Sequence, residues 1–531
     1  MGTTKKVTEE TLQGFMDVLR KYKAGKARLE SRIIAAEQWW KLRNESVEPP
    51  YGAPGSYHAR SGWLHNVITT KHADGMESYP EPALLAREPG DEAEAEMLSQ
   101  ILPCVLEQCD FESTYSDVLW QKLKFGTGCY KVFWDKDALH GLGDVAVRRV
   151  NLLNVFWEPG VTDLQQSRYF FHTELWDRGT LEEEYPKCKG KLGSSGFTAR
   201  KFLSDDAEDD GDKVTVVDVW YRRQGLLHYC RFVGDCVLYA SENDPACARR
   251  GFYDHGLYPY VFDPLFPIEG SPCGYGYIDL CAAQQTEIDV LKTAIVHNAM
   301  VGTVPRYFLR TDGSVNEEEY LDLSRPLIHV NGNLGEDSIR AVPVTGLSGT
   351  YLSLLQETVQ ELRETTGNTE TGAGTVSVNM AASAIEALQE ASGKLSRDST
   401  QSAFRAFRRI IELVVELIRQ FYSVPRMFRV TGAEGGYRYL RYSSEGIRAM
   451  DLGEAFGVEL GWRTPIFDIR IEVQKKSAYS TLSQNELALR LFGSGLLDPA
   501  MREQALQALR LMRFEGKEGL MREMNIGISD K

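Results

Sequence analysis

Residues 367–380, GNTETGAGTVSVNM, run directly into residues 381–422, AASAIEALQEASGKLSRDSTQSAFRAFRRIIELVVELIRQFY. The first stretch holds three glycines, four small hydroxyl residues and no basic residue, and it reads as a flexible loop. The second places Ile385, Leu388, Leu395, Phe407, Ile411, Val414, Ile418 and Phe421 at helical spacing. Unbroken, such a helix spans about 60 Å, about twice the diameter of a small domain. It must brace several layers or meet other chains.

Outward from that pair the chain changes texture in blocks. Just before the loop, Leu352, Leu355, Val359 and Leu362 stripe a helix over 351–365, with Ser348 as its N-cap and Gly367 as its stop. Before it lies a small block with a strand at Arg306–Leu309, a short acidic helix at Glu317–Leu323, and a strand pair near 327–330 and 339–344 turning at Asn331-Gly332. A further helix over 276–303 puts Leu280, Ile288, Leu291, Ile295 and Ala299 on one face.

The stretch from Gly126 is β-rich. Short β-branched or aromatic runs occur at 128–134, 144–150, 168–176, 214–221, 226–233 and 237–239, with an acidic loop around Asp205–Asp212 between two of them. Ahead of it, residues 8–44 read as helix, prolines and glycines from Pro49 to Gly55 break the chain into an extended or turning segment, and Asp91–Leu123 reads as one helix kinked at Pro103. After the long helix come strands at 426–430, 437–442 and 467–473, then helices following the capping box Ser483-x-x-Glu486. The fold class is α+β.

The chain has 531 residues, enough for three or four domains. With 43% hydrophobic and 25% charged residues it has a globular composition, which excludes collagen, wholesale disorder and small disulfide scaffolds. A net charge of −15 opposes general adhesion to nucleic acid. No run is apolar enough for a membrane span, and the polar start around Lys5, Lys6, Glu9 and Glu10 lacks a signal-peptide core, so a cytosolic-type protein is expected. The nine cysteines include no C-x-x-C and read as reduced, buried thiols.

Catalytic patterns fail in turn. None of the four Gly-Lys pairs is followed by the Ser or Thr of a phosphate-binding loop. Gly346-Leu347-Ser348-Gly349-Thr350 lacks the last glycine of a nucleophile elbow. The nine histidines show no i, i+4 metal pair, and Asp135-Lys136-Asp137 leads into Leu139 and His140 where a calcium loop needs a ligand and glycine. One charge feature stands out. Lys394, Arg397, Arg405, Arg408, Arg409, Arg419, Arg426 and Arg429 face only Asp398, Glu412 and Glu416. Of these, Lys394, Arg397, Arg405, Arg408 and Arg409 are candidates for contact with DNA phosphates or with an acidic neighbouring subunit; an ordinary charged helix face is the alternative.

The order helix, small mixed block, returning helix, glycine-rich loop and very long helix resembles the portal proteins of tailed bacteriophages, the head-to-tail connectors. The stretches LKFGTGCYKVFWD (123–135), VRRVNLLNVFWEPG (147–160), GYGYIDLCAAQQTEIDVLKTAIVHNAM (274–300), TTGNTETGAG (365–374) and SAIEALQEASGKLS (383–396) carry the likeness, which covers roughly residues 90–510.

The resemblance implies a ring, commonly a dodecamer, at a capsid vertex, assembled in the bacterial host cytoplasm, through which double-stranded DNA is packaged and later ejected. It implies an N-terminal helix and extended segment (1–90), a β-rich wing (91–275 and 425–477), stem helices (276–303 and 346–366), a clip (304–345), a tunnel loop (367–380), a long wing helix (381–424) and a helical crown (478–531). Asn368, Thr369, Glu370, Thr371, Thr375, Ser377 and Asn379 would then face the DNA channel. Arg310, Glu317, Glu318, Glu319, Arg325 and Asn331 of the clip would meet the terminase and then the tail adaptor. Capsid and scaffolding proteins are further implied partners; no membrane, cofactor, metal or catalytic residue is. Another virion or minor head protein, or an enzyme without recognisable motifs, are the competing readings.

Overall fold

A computed structural model describes residues 6–43, 59–190, 192, 212–303, 307–309, 316, 318–319, 329, 339–341, 348–368, 394–431, 437–451, 454–455, 458–459, 462–475, 489–490 and 493. Within them the chain mixes helices with antiparallel strands, an α+β arrangement. Two compact units emerge: residues 1–37, 67–279 and 367–531 contribute to the larger, residues 38–66 and 280–366 to the smaller.

In chain order the main elements are α1 (Glu9–Trp40), α2 (Trp63–Glu77), β1 (Ser78–Ala86), α3 (Glu92–Gln108), α4 (Phe111–Phe125), β2 (Thr127–Asp135), β3 (Asp144–Arg149), β4 (Val155–Trp157) and β5 (Tyr169–Asp177). Next come α5 (Arg178–Glu184), β6 (Lys213–Arg223), β7 (Leu226–Val233), β8 (Cys236–Ala240), β9 (Tyr260–Pro264) and α6 (Tyr277–Thr303). The chain continues with β10 (Tyr307–Leu309), β11 (Ile339–Ala341), α7 (Gly349–Thr366), α8 (Lys394–Phe421), β12 (Arg426–Thr431), β13 (Tyr437–Tyr442) and β14 (Phe467–Lys475).

The larger unit is framed by a five-stranded meander, β4-β5-β6-β7-β8, and a three-stranded sheet, β3-β2-β9. Period-two alternation decides which residues meet what. On β6, Val217, Val219 and Tyr221 join a cluster with Leu12, Phe15, Met16, Leu19 and Tyr22 of α1, while Val214 and Val216 pack with Leu181 of α5 and Cys188. Lys26 carries the contact of α1 further: its ammonium donates to Val155 O at 2.6 Å and to Leu152 O, and burial pushes it down to about 8. α8 closes the three-stranded sheet, burying Ala406, Phe407, Ile410, Ile411, Val414 and Ile418.

Several expectations need correction. Asp91–Leu123 is two helices, and the break falls at Cys109–Asp110, where Asp110 takes φ +51°, rather than at Pro103, which sits inside α3. The segment after α1 is not simply extended: α2 and β1 occupy 63–86, and β1 pairs residue by residue with β14, from Ser78↔Lys475 to Ala86↔Phe467. Not all cysteines are free thiols. Cys188 and Cys236 are joined as a disulfide, because the 186–188 turn lies against β8, and the other seven are free. Strand 339–341 pairs with 307–309, while its expected partner run 327–330 lies outside the described residues apart from His329.

The long helix is described from Lys394; its expected start over 381–393 lies outside the described residues, as do the crown helices apart from Leu489, Arg490 and Gly493, and the acidic loop apart from Asp212.

In the smaller unit a polar ladder on α6 holds the stretch before α2. Gln285, Asp289 and Thr293, four residues apart, are all buried. Asp289 Oδ1 accepts from Ser61 N at 2.9 Å, Thr293 Oγ1 from Ala59 N at 2.9 Å, and Gln285 Nε2 donates to Ser61 O at 2.8 Å. α7 follows Ser348, whose hydroxyl accepts from Thr350 N at 3.3 Å, and ends at Gly367 with φ +66°.

Candidate functional site

The amphipathic pattern of α8 turns its apolar stripe to the sheet and its cations outward. Arg397, Arg405, Arg408 and Arg409 are all exposed, on a helix whose neighbouring positions 403, 406, 407 and 410 are buried. Lys394 opens the helix. Arg409 reaches Asp163 Oδ1 at 3.3 Å, an exposed pair worth little in stability. Arg405 makes no hydrogen bond or ion pair among the described residues.

Beneath this face lies a buried charge pair that patterning alone does not reveal. Lys122 Nζ sits 2.8 Å from Asp263 Oδ1, and both side chains are almost fully excluded from solvent. The same ammonium donates to Ser399 O at 2.8 Å, and the Ser402 hydroxyl lies 3.0 Å from Asp263 Oδ1, so α4, β9 and the first turns of α8 share one polar node. Burial pushes the Lys122 ammonium below the usual lysine range, Asp263 opposes this, and nearby Arg405 adds to it.

Beside the node, an open cleft of about 300 Å³ is walled by residues 162–165 on one side and by Arg405, Ala406 and Arg409 on the other, with Tyr260, Val261 and Phe262 as its floor.

A second polar seam runs through the meander. Arg231 grips Asp218 with Nε at 2.7 Å and Nη2 at 3.0 Å, Tyr229 donates to Asp218 Oδ1 at 2.8 Å, and Lys131 stands 3.7 Å away. Burial alone would raise the Asp218 carboxyl, but Arg231 and Lys131 outweigh it and hold the group well below the usual range. Burial, helped by Lys131, pushes His172 down to about 4. Asp218, Tyr229 and Arg231 satisfy one another. No group of three or more His, Cys, Asp or Glu side chains suited to a metal ion occurs among the described residues, and no described helix is long and apolar enough to cross a membrane.

Of the expected channel residues, only Asn368 is described, half-buried just after Gly367; Thr369, Glu370, Thr371, Thr375, Ser377 and Asn379 lie outside the described residues. Of the expected clip contacts, Glu318 is exposed, while Glu319 accepts from His329 N at 2.7 Å and lies 2.9 Å from His329 Nδ1. Arg310, Glu317, Arg325 and Asn331 lie outside. The sequence reading missed Asp163, Lys122 and Asp263. A lysine inside the helical stripe Val118–Leu119–Leu123 was the available signal for the buried pair.

The exposed Arg397, Arg405, Arg408 and Arg409 give α8 one basic face opposite its apolar stripe. The chain belongs to the family described as "Phage P22-like portal protein", whose sequence model matches residues 75–226 and 266–528. It is thus a tailed-phage portal protein, and the family is structural rather than enzymatic. No curated protein matches the chain.

Proposed function

We propose that this chain is the repeating subunit of a closed ring, commonly of twelve copies, at one vertex of the capsid, forming the channel through which double-stranded DNA is packaged and later ejected. The family match across both the β-rich region and the long helix is the observation that carries this reading. Residues 91–275 with 425–477 are the wing, 276–303 and 346–366 the stem, 304–345 the clip, 367–380 the tunnel loop and 478–531 the crown. The clip receives the terminase and then the tail adaptor, capsid and scaffolding proteins surround the ring, and assembly takes place in the host cytoplasm.

Two physical features support the reading. Val290 and Met300 on α6, and Tyr351, Leu352 and Leu354 on α7, expose apolar surface that a neighbouring copy would cover. The tunnel-loop sequence offers Thr, Ser, Asn and Gly with no cation, so it adds little phosphate affinity for sliding DNA to break. Negative-stain images of purified protein test the proposal. Closed rings with an axial hole are expected; solitary particles at every concentration and salt would remove it.

A further inference from the structure

The cleft beside α8 is built for more than a solvated helix face. Arg405 and Arg409 are one turn apart, so both guanidinium groups stand on the same wall. Asp163 on the opposite wall is already engaged, accepting from Gln165 N at 3.0 Å and from Arg409 at 3.3 Å. Arg405 has no such partner among the described residues, and its charge is one of the causes that lower the Lys122 ammonium. At Arg405 this wall therefore carries positive charge that no described residue pairs with. The floor, formed by Tyr260, Val261 and Phe262, is largely apolar.

We infer that this cleft receives a carboxylate-bearing segment of a second copy of this chain, with an apolar side chain on the floor and an Asp or Glu between Arg405 and Arg409. The inference rests on the ring reading, because a ring needs a heterologous contact that repeats and closes. Charge complementarity selects the occupant: a chain of net −15 presents carboxylates on every copy, whereas this helix carries six basic residues against three acidic ones. A free phosphate would engage the arginines and leave the apolar floor empty. A duplex backbone carries no apolar group to fill it. A planar guanidinium prefers a carboxylate in two-point contact, which gives the docking register as well as attraction.

Two measurements test it on the full-length protein. In the first, mass photometry follows ring formation against concentration for the wild type and for Arg405→Ala/Arg409→Ala. Both side chains are exposed, so the variant should keep the wild-type unfolding midpoint. Its assembly midpoint should rise about tenfold or more, as loss of a charge-paired contact does.

In the second, Arg405→Lys rings assembled from a mixture of isotope-labelled and unlabelled chains are treated with a carbodiimide. The reagent activates a carboxylate as an O-acylisourea. The amine introduced at position 405 displaces the urea and forms an amide, and mass spectrometry reads which carboxylate was joined and whether it came from the other chain.

An inter-chain link at position 405 of the Arg405→Lys protein, together with the raised assembly midpoint of the alanine variant, supports the contact. Unchanged assembly by the alanine variant overturns it. So does thermal stabilisation by inorganic phosphate, or duplex binding, that depends on these arginines while assembly does not. A wild-type chain that never forms rings overturns the ring reading and this contact with it; rings indifferent to the substitutions overturn the contact alone.

Discussion

Lys122 keeps an ammonium where water does not reach, and among the described residues Asp263 and the Ser399 carbonyl compensate it. Breaking such a pair strands the remaining charge, at a cost of about 3–5 kcal/mol, whereas exchanging both partners for apolar residues can be nearly neutral. Denaturant unfolding should therefore show Lys122→Met and Asp263→Leu each strongly destabilised and the double variant recovering most of the loss; additive losses would refute the pairing argument.

The buried histidines set a pH dependence. His172 and His255 fold with values near 4, both chiefly through burial, against an ordinary value of 6.5. Between those values the unfolded chain binds more protons, so their contribution is present above about pH 6.5 and is lost as the pH falls toward 4. The unfolding midpoint should drop across that window, and His172→Gln/His255→Gln should flatten the slope. The stripe position of Lys122 signalled its burial, but the partners in these environments were not legible in the chain order. Asp263 opposite Lys122, and Lys131 and Asp218 near His172, come from segments remote in sequence, and spacing carries no record of them.

At the scale of elements, helices and strands with strong periodicity followed their patterns closely. All six runs read as strands between Gly126 and Tyr239 form strands, because alternation there matches a sheet buried on one or both faces. β1 was hidden by Pro80 and Pro82. The structure explains how a strand tolerates them: Pro80, Pro82 and Leu84 share one parity, and Leu84 N donates away from the ladder, to Ser99 Oγ at 2.7 Å. Proline on that edge forfeits no ladder bond.

The α4–β2 junction shows a constraint of another kind. Gly126 takes φ +83°, and a Cβ there would meet the Tyr275 backbone, whereas Gly160 has φ +88° and open space around it. Gly160→Ala should cost only the left-handed backbone penalty, about 1–2 kcal/mol. Gly126→Ala should cost clearly more in the same denaturant titration, and equal losses would discount the close approach.

For the whole molecule, the proposed role depends on a lining that lets a polyanion move. Each added cation contributes phosphate affinity that translocation must then break. Thr369→Lys or Thr371→Lys should accordingly slow DNA entry in a packaging assay while leaving ring formation intact. An unchanged rate would count against the sliding argument.

The sequence by itself determined the alternation of β-rich and helical blocks, the long helix, the acid excess and the family, because periodicity, composition and ordered local motifs are properties of neighbouring residues. Tertiary structure alone decided that β1 pairs with β14 across almost the whole chain, that Cys188 meets Cys236, that Lys122 is neutralised by Asp263, and that two arginines of one helix overlook an apolar floor. Those pairings minimise buried unpaired charge and open strand edges, and that requirement acts only once distant segments have come together.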